Sequence, residues 1–233
     1  MKFETEGHAG EDAPAAHRPS GVASKPLPFV EPKLLVCFSG KIGSGKTSIS
    51  RSVARWLECG RASFGGYLRD EITLRGGDPN CRKSLQDLGL SRITQDAESF
   101  CRDVLAAGGF VRGEDFVLDG VRHVAVVPHL VRIGSPSQVR LIFLEAAGEL
   151  RSVRVGERSE GDWADFDRAT RHLVEADMDA GLPAVADAIV DSSLREQDVF
   201  RECVGLIQRW RLPNSGGQEP LAVPKSESPG SPK

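Results

Sequence analysis

The 233-residue chain has no apolar stretch near the ~20 residues that a membrane-crossing helix needs, so no such helix is predicted. It has no C-x-x-C pair. Its five cysteines, Cys37, Cys59, Cys81, Cys101 and Cys203, are odd in number and far apart, which argues against a disulfide framework or a cysteine metal site. They are expected to be reduced, mostly buried thiols of a cytoplasmic protein. There is no basic excess. Lysine and arginine number 30 against 33 acidic residues, so bulk nucleic-acid binding is not expected. The first twenty residues, MKFETEGHAGEDAPAAHRPS, are acidic and polar without an apolar core, unlike a secretory signal.

Hydrophobic periodicity is also missing at both ends. Residues 1–32 are rich in Ala, Pro, Gly, Glu and His, and residues 213–233 in Pro, Ser, Gly and Lys. Both are predicted to be disordered tails. The folded part is expected at 33–212, one domain long enough for a real core.

Within that part, one stretch dominates: LLVCFSGKIGSGKTSISRSVARWL, from Leu34 to Leu57. Leu34 to Phe38 is a short continuous apolar run, as in a buried parallel strand. Gly40-Lys41-Ile42-Gly43-Ser44-Gly45-Lys46-Thr47 fits G-x-x-x-x-G-K-[ST]. Ile49, Val53, Ala54 and Leu57 then recur at helical spacing. Strand, glycine loop and helix start stand in the order a phosphate cradle requires. Backbone N–H groups can wrap a triphosphate only where side chains are absent, and Gly40, Gly43 and Gly45 meet that need. The following helix aims its unpaired N–H groups and positive dipole end at the phosphates. Lys46 is placed to reach the β- and γ-phosphates, and the Thr47 hydroxyl to ligate Mg²⁺. The predicted nucleotide-binding set is Gly40, Lys41, Ile42, Gly43, Ser44, Gly45, Lys46, Thr47 and Ser48, with ATP and Mg²⁺ as cofactors.

Downstream, strands are predicted over 61–64, 115–120, 139–144 and 188–190. Helices are predicted from Tyr67, from Asn80 as N-cap through Leu88, and over Ile93–Leu105. Further helices are expected over 121–133 (interrupted at Pro128), 146–155, 166–176 and 198–210. Alternating strands and helices imply a three-layer α/β fold, a mainly parallel sheet of about five strands with helices on both faces and a short lid.

Ligands of such sheets sit at the C-terminal strand ends, and four features converge there. They are the glycine loop, the segment 65–70 with Arg69 and Asp70, the segment Asp119-Gly120-Val121-Arg122, and the arginine-rich stretch from 151. Asp119 closes an apolar strand, where a carboxylate helps to hold Mg²⁺ or caps a helix. Arg122 is a candidate for an acceptor anion. Arg151, Arg154 and Arg158 are three and four apart and share one helix face, and Arg168 and Arg171 add a second pair. Such a row suits charge stabilisation on a transferring phosphoryl group, and equally a solvated basic face.

These residues resemble the P-loop nucleoside monophosphate kinase group, and more closely an adenylate-kinase-like or dephospho-CoA-kinase-like branch of archaeal type. The resemblance spans Leu34 to about Trp210. The family's T-G-D-L-L-R is matched by Ser63 to Arg69, with Arg69 at the acceptor-phosphate arginine and Gly66 in place of the aspartate. Its D-G-F-P-R becomes Asp119-Gly120-Val121-Arg122, one residue shorter. Its lid R-x-x-x-R is matched by Arg154 and Arg158. The resemblance implies an ATP- and Mg²⁺-dependent phosphotransferase acting on a small nucleotide-like acceptor. Lys46, Asp119, Arg154 and Arg158 are then catalytic, Arg69, Asp70 and Arg122 bind substrate, and Thr47 and Asp119 hold the metal. The expected acceptor is a nucleoside or deoxynucleoside monophosphate. A hydroxyl acceptor of the dephospho-CoA type would want a carboxylate nearby, Asp70 or Asp119. A P-loop ATPase or regulatory nucleotide binder is the alternative, although N-K-x-D is missing and Gly120 follows Asp119 where a switch would carry a glutamate.

Overall fold

A computed structural model describes residues 30–156 and 177–212. All the elements below lie in the unit that begins at Glu31. They are β1 (Leu34–Gly40), α1 (Lys46–Trp56), β2 (Gly60–Ser63), α2 (Phe64–Leu74), α3 (Arg82–Ala107) and β3 (Phe116–Val121). A 3₁₀ turn at Val124–Val126 leads into α4 (Val127–Gly134). Then come β4 (Gln138–Glu145), α5 (Gly148–Gly156), a π turn at Asp177–Gly181, α6 (Leu182–Val185), β5 (Ala188–Asp191) and α7 (Glu196–Arg211).

The five strands form one sheet in the order β2-β3-β1-β4-β5, and each neighbouring pair is parallel. The central strand β1 is buried along its whole length. Its side chains alternate between two cores, as a period of two demands. Leu35 and Cys37 face a layer built from α2, α3, α4 and α6, together with Phe116, Leu118, Leu141 and Phe143 of the flanking strands. Leu34, Val36 and Phe38 face the opposite layer, where Ile49 and Val53 of α1 meet Val199, Cys203 and Ile207 of α7. Burying each of these large side chains is worth ~1.5–3 kcal/mol, and both faces being covered explains why β1 is a continuous apolar run.

The parallel three-layer arrangement matches the sequence expectation, and strand ends agree within one or two residues. The helices differ more. Ser63 caps α2, its hydroxyl accepting from Gly66 N–H at 3.2 Å. The helix therefore starts at Phe64 rather than Tyr67, with Gly65 and Gly66 in its first turn. Asn80 is not the cap of α3. Its N–H donates to Asp78 Oδ1, and Cys81 stands at the cap position. The two helices expected between Asn80 and Leu105 are merged across a break at Asp96, whose backbone is extended. Asp96 Oδ1 accepts from Ser99 N–H at 2.9 Å and so recaps the second segment. Pro128 does not interrupt α4 but sits in its first turn, where its missing N–H costs nothing. The helix expected over 166–176 lies outside the described residues, as does the lid beyond 156.

Away from the strand tips, Arg140 of β4 pairs with Asp187 at 2.8 Å, and both side chains are buried. The other Asp187 oxygen accepts Leu141 N–H at 2.7 Å. All five cysteines are free thiols. No described helix is long and apolar enough to cross a membrane.

Candidate functional site

The C-terminal ends of β1 and β3 build the centre of the site. After Gly40 the chain turns through Lys41–Gly45 and enters α1 at Lys46. Gly43 and Gly45 have φ of +81° and +82°, the left-handed region that favours glycine. Their surroundings differ. A Cβ on Gly43 would meet the Arg151 carbonyl oxygen at 2.6 Å, so α5 packs directly on the loop. A Cβ on Gly45 would meet nothing within 4 Å. That open space lies at the N-terminus of α1, where an anion is favoured. Lys46 is buried, with Nζ 3.2 Å from the Lys41 carbonyl oxygen, so its ammonium lies across the loop. Ser44 N–H also donates to Lys41 O, at 3.1 Å, while Ser44 Oγ is buried without a hydrogen-bond partner. Ile42 offers its carbonyl to Arg151 Nη1 at 3.3 Å. Ser48 N–H donates to Gly45 O, which starts α1.

Asp119 sits beside this loop on the neighbouring strand. Between Phe38 and Ser39 of β1 the pairing with β3 slips, so Ser39 faces Val121 and Gly120 bulges with φ +87°. Ser39 Oγ closes the bulge by donating to Val121 O at 2.7 Å. Asp119 is buried at 2% exposure. Its Oδ2 accepts from Thr47 Oγ1 at 3.0 Å and from Arg61 Nη2 at 2.5 Å, whereas Oδ1 is buried without a partner. Sequence reasoning did not single out Arg61. It lies on β2, a short edge strand with no motif around it, and only the parallel pairing of Ser63 with Asp119 reveals its proximity.

The residues present fit a hard dication. Thr47 and Asp119 bring oxygens together, and Asp119 Oδ1 is an orphaned buried acceptor. Among the described residues no group of three His, Cys, Asp or Glu could hold a metal. The remaining ligands would have to be phosphate and water oxygens, the usual sharing for Mg²⁺.

A cavity of about 400 Å³ adjoins the loop, with Ile42 and Gly120 on the shared border. Arg69, Arg82 and Arg122 line it, as do the apolar Phe64, Leu68 and Phe100. No carboxylate is among its described lining residues. Arg69 projects from α2 and donates to Gly65 O at 3.2 Å. Arg82, at the start of α3, was not singled out by the sequence, because it stands in none of the motifs. Asp70 is exposed and is not brought to this cavity. On the outer wall, Arg92 lies over the Phe100 ring at 5.5 Å and pairs with Asp103 at 2.5 Å, bracing α3 behind the cavity.

The basic face of α5 divides. Arg151 touches the loop, but Arg154 Nη1 donates to the Ser192 carbonyl oxygen at 2.9 Å, at the end of β5. Arg158, Arg168 and Arg171 lie outside the described residues.

No protein-family model matches the chain. A stretch of 77 residues, 32% of the chain, is 38% identical to part of a Lon protease from Fervidobacterium nodosum, and the match covers 9% of that protein. Among solved structures, the chain is similar to a gluconokinase from Sinorhizobium meliloti 1021 and a shikimate kinase from Acinetobacter baumannii in complex with shikimate. The gluconokinase aligns with TM-score 0.52 and 14% identity, over 77% of this chain and 94% of that one. For the shikimate kinase the values are 0.53 and 14%, over 79% and 97%. The chain therefore has the P-loop kinase fold. At that identity the likeness speaks for the fold alone.

Proposed function

We propose that the chain is an ATP- and Mg²⁺-dependent phosphotransferase that moves the γ-phosphoryl group to a small anionic acceptor. The loop Gly40–Ser48 cradles the donor phosphates, and Lys46 swings from the Lys41 carbonyl to the β/γ-phosphate oxygens. Thr47 and Asp119 hold the metal. When bound there, Mg²⁺ supplies charge neutralisation at the β- and γ-oxygens. Arg69 and Arg122 bind the acceptor, joined by Arg82, and the basic face of α5 approaches the donor from the far side of the loop through Arg151. The chemistry is positioning plus electrostatics, with no covalent step on the protein.

The single observation that carries this reading is the juxtaposition of two sites across Ile42 and Gly120. On one side is a glycine cradle beside an oxygen pair, and on the other a cavity with three arginines and no described carboxylate. A switch protein needs only the first; the second suits another substrate. The arginines with an apolar floor favour a nucleoside or deoxynucleoside monophosphate, its phosphate on the cations and its base on the apolar side. A hydroxyl acceptor of the dephospho-CoA type is the second reading. Asp119 favours it, as the carboxylate next in sequence to the cavity-lining Gly120.

A coupled ADP-release assay with ATP, Mg²⁺ and a panel of nucleoside monophosphates, deoxynucleotides and dephospho-CoA tests the proposal. Release that depends on one acceptor is expected. Release indifferent to every acceptor would instead make the chain an ATPase.

A further inference from the structure

Asp119 is tied down by a residue with no place in the loop motif. Arg61 Nη2 donates to Asp119 Oδ2 at 2.5 Å, and Arg61 Nε donates to Ser50 Oγ at 3.0 Å. Ser50 Oγ in turn donates to Thr47 O at 3.1 Å, and Thr47 Oγ1 donates to the same Oδ2 at 3.0 Å. The four residues, through their side chains and the Thr47 carbonyl, close a ring that joins β2, the start of α1 and the tip of β3. Asp119 and Ser50 are buried, and the Arg61 side chain is 20% exposed.

The ring treats the two oxygens of one carboxylate differently. Oδ2 takes both donors, while Oδ1 has none. A carboxylate free to rotate about its last bond would present either oxygen, so two donors on one oxygen select the other. Thr47, by spending its hydroxyl hydrogen on Oδ2, keeps its oxygen lone pairs for a cation.

We infer that Arg61 is the positioning residue of the metal site. It fixes Asp119 so that Oδ1 and the Thr47 oxygen face one point together, and Ser50 holds the guanidinium at the required angle. The inference rests on the proposed nucleotide site and names a regulator of its metal affinity. Arg61 does not touch donor or acceptor; it acts through Asp119. Outer partners of metal-binding carboxylates typically change metal affinity by roughly 10–100-fold when removed. The positive charge of Arg61 works against a dication, so a net loss on its removal means that orientation outweighs repulsion.

The test is Mn²⁺ binding, read from the loss of the free-ion electron paramagnetic resonance signal, with a non-hydrolysable ATP analogue present. Analogue binding in EDTA is measured in parallel. Arg61→Ala is expected to weaken Mn²⁺ binding roughly 10–100-fold, as outer partners do, with analogue binding in EDTA unchanged. Arg61→Lys keeps the charge but cannot bridge Asp119 and Ser50, so it should recover only part of the affinity. Ser50→Ala should fall between Arg61→Lys and wild type. If Arg61→Ala does not fold, Arg61→Lys and Ser50→Ala carry the test. Mn²⁺ affinity equal to or above wild type in the folded variants would overturn the inference. Wild-type protein that binds no analogue at all would overturn the nucleotide site itself, and the inference with it.

Discussion

The Thr47 hydroxyl and the Asp119 carboxylate meet at 3.0 Å although 72 residues separate them in the chain. The meeting follows from the sheet order, which sets β3 directly beside β1 and so places its last carboxylate against the first turn of α1. Asp119→Asn keeps the shape of the group but removes its charge. We expect the Mg²⁺ concentration for half-maximal rate to rise at least tenfold, with nucleotide binding in EDTA little changed. A Mg²⁺ titration of initial rates checks this.

Lys46 is the lysine that the loop motif fixes, whereas Lys41 stands at one of its variable positions. Lys46→Ala should lower kcat by at least about 10²-fold, the scale for removing one transition-state charge partner. Thermal denaturation should change little, because a hydrogen bond such as that from Nζ to Lys41 O at 3.2 Å contributes only about 1 kcal/mol net. Wild-type rates in the variant would remove Lys46 from the site.

The two loop glycines with left-handed φ should separate stability from binding. Gly45→Ala meets no protein atom, so its stability cost should be near the roughly 1–2 kcal/mol of the backbone strain alone. Its methyl group enters the open space at the head of α1, and nucleotide binding should be lost. Gly43→Ala adds a clash with the Arg151 carbonyl and should be the less stable of the two. Urea unfolding with nucleotide titration resolves both effects.

Much of this geometry was legible in the chain itself. The central strand announced itself as an apolar run because both faces of β1 are covered, and Asp119 was found because it ends such a run. Arg61 was invisible for a physical reason: a four-residue edge strand has no periodicity, and its partner lies 58 positions away. The α2 start was misplaced because glycines usually argue against helix, whereas here Ser63 caps the turn that contains them. Arg154 looked like a partner of Arg151 on one face. The structure turns it to Ser192, since the nine-residue α5, packed between the loop and β5, meets different neighbours along that face.

Arg69→Ala and Arg122→Ala should each raise the acceptor KM while leaving ATP affinity nearly unchanged, because both residues line the cavity. Initial-rate kinetics with each substrate varied in turn tests the split. An effect confined to ATP would move the residue out of the acceptor half.

The thiols should react in a definite order. Burial pushes Cys101 and Cys203 up to about 12 and Cys59 up to about 11. Hydrogen bonds from Ser84 instead hold Cys81 below the usual thiol value. At pH 8 the first three are protonated, so an alkylating reagent should label Cys81 first. Cys81 stands between Asn80 and Arg82, both lining the cavity, so a bound acceptor should slow that labelling. Mass spectrometry of the modified peptides reads the order.

The central claim is that the loop and the cavity are the two halves of one transfer site. Its most direct test follows the label of [γ-³²P]ATP in the presence of Mg²⁺ and the acceptor panel. We predict label on one organic acceptor with wild-type protein and none with Lys46→Ala. Label found only as inorganic phosphate, at a rate no acceptor alters, would contradict the account.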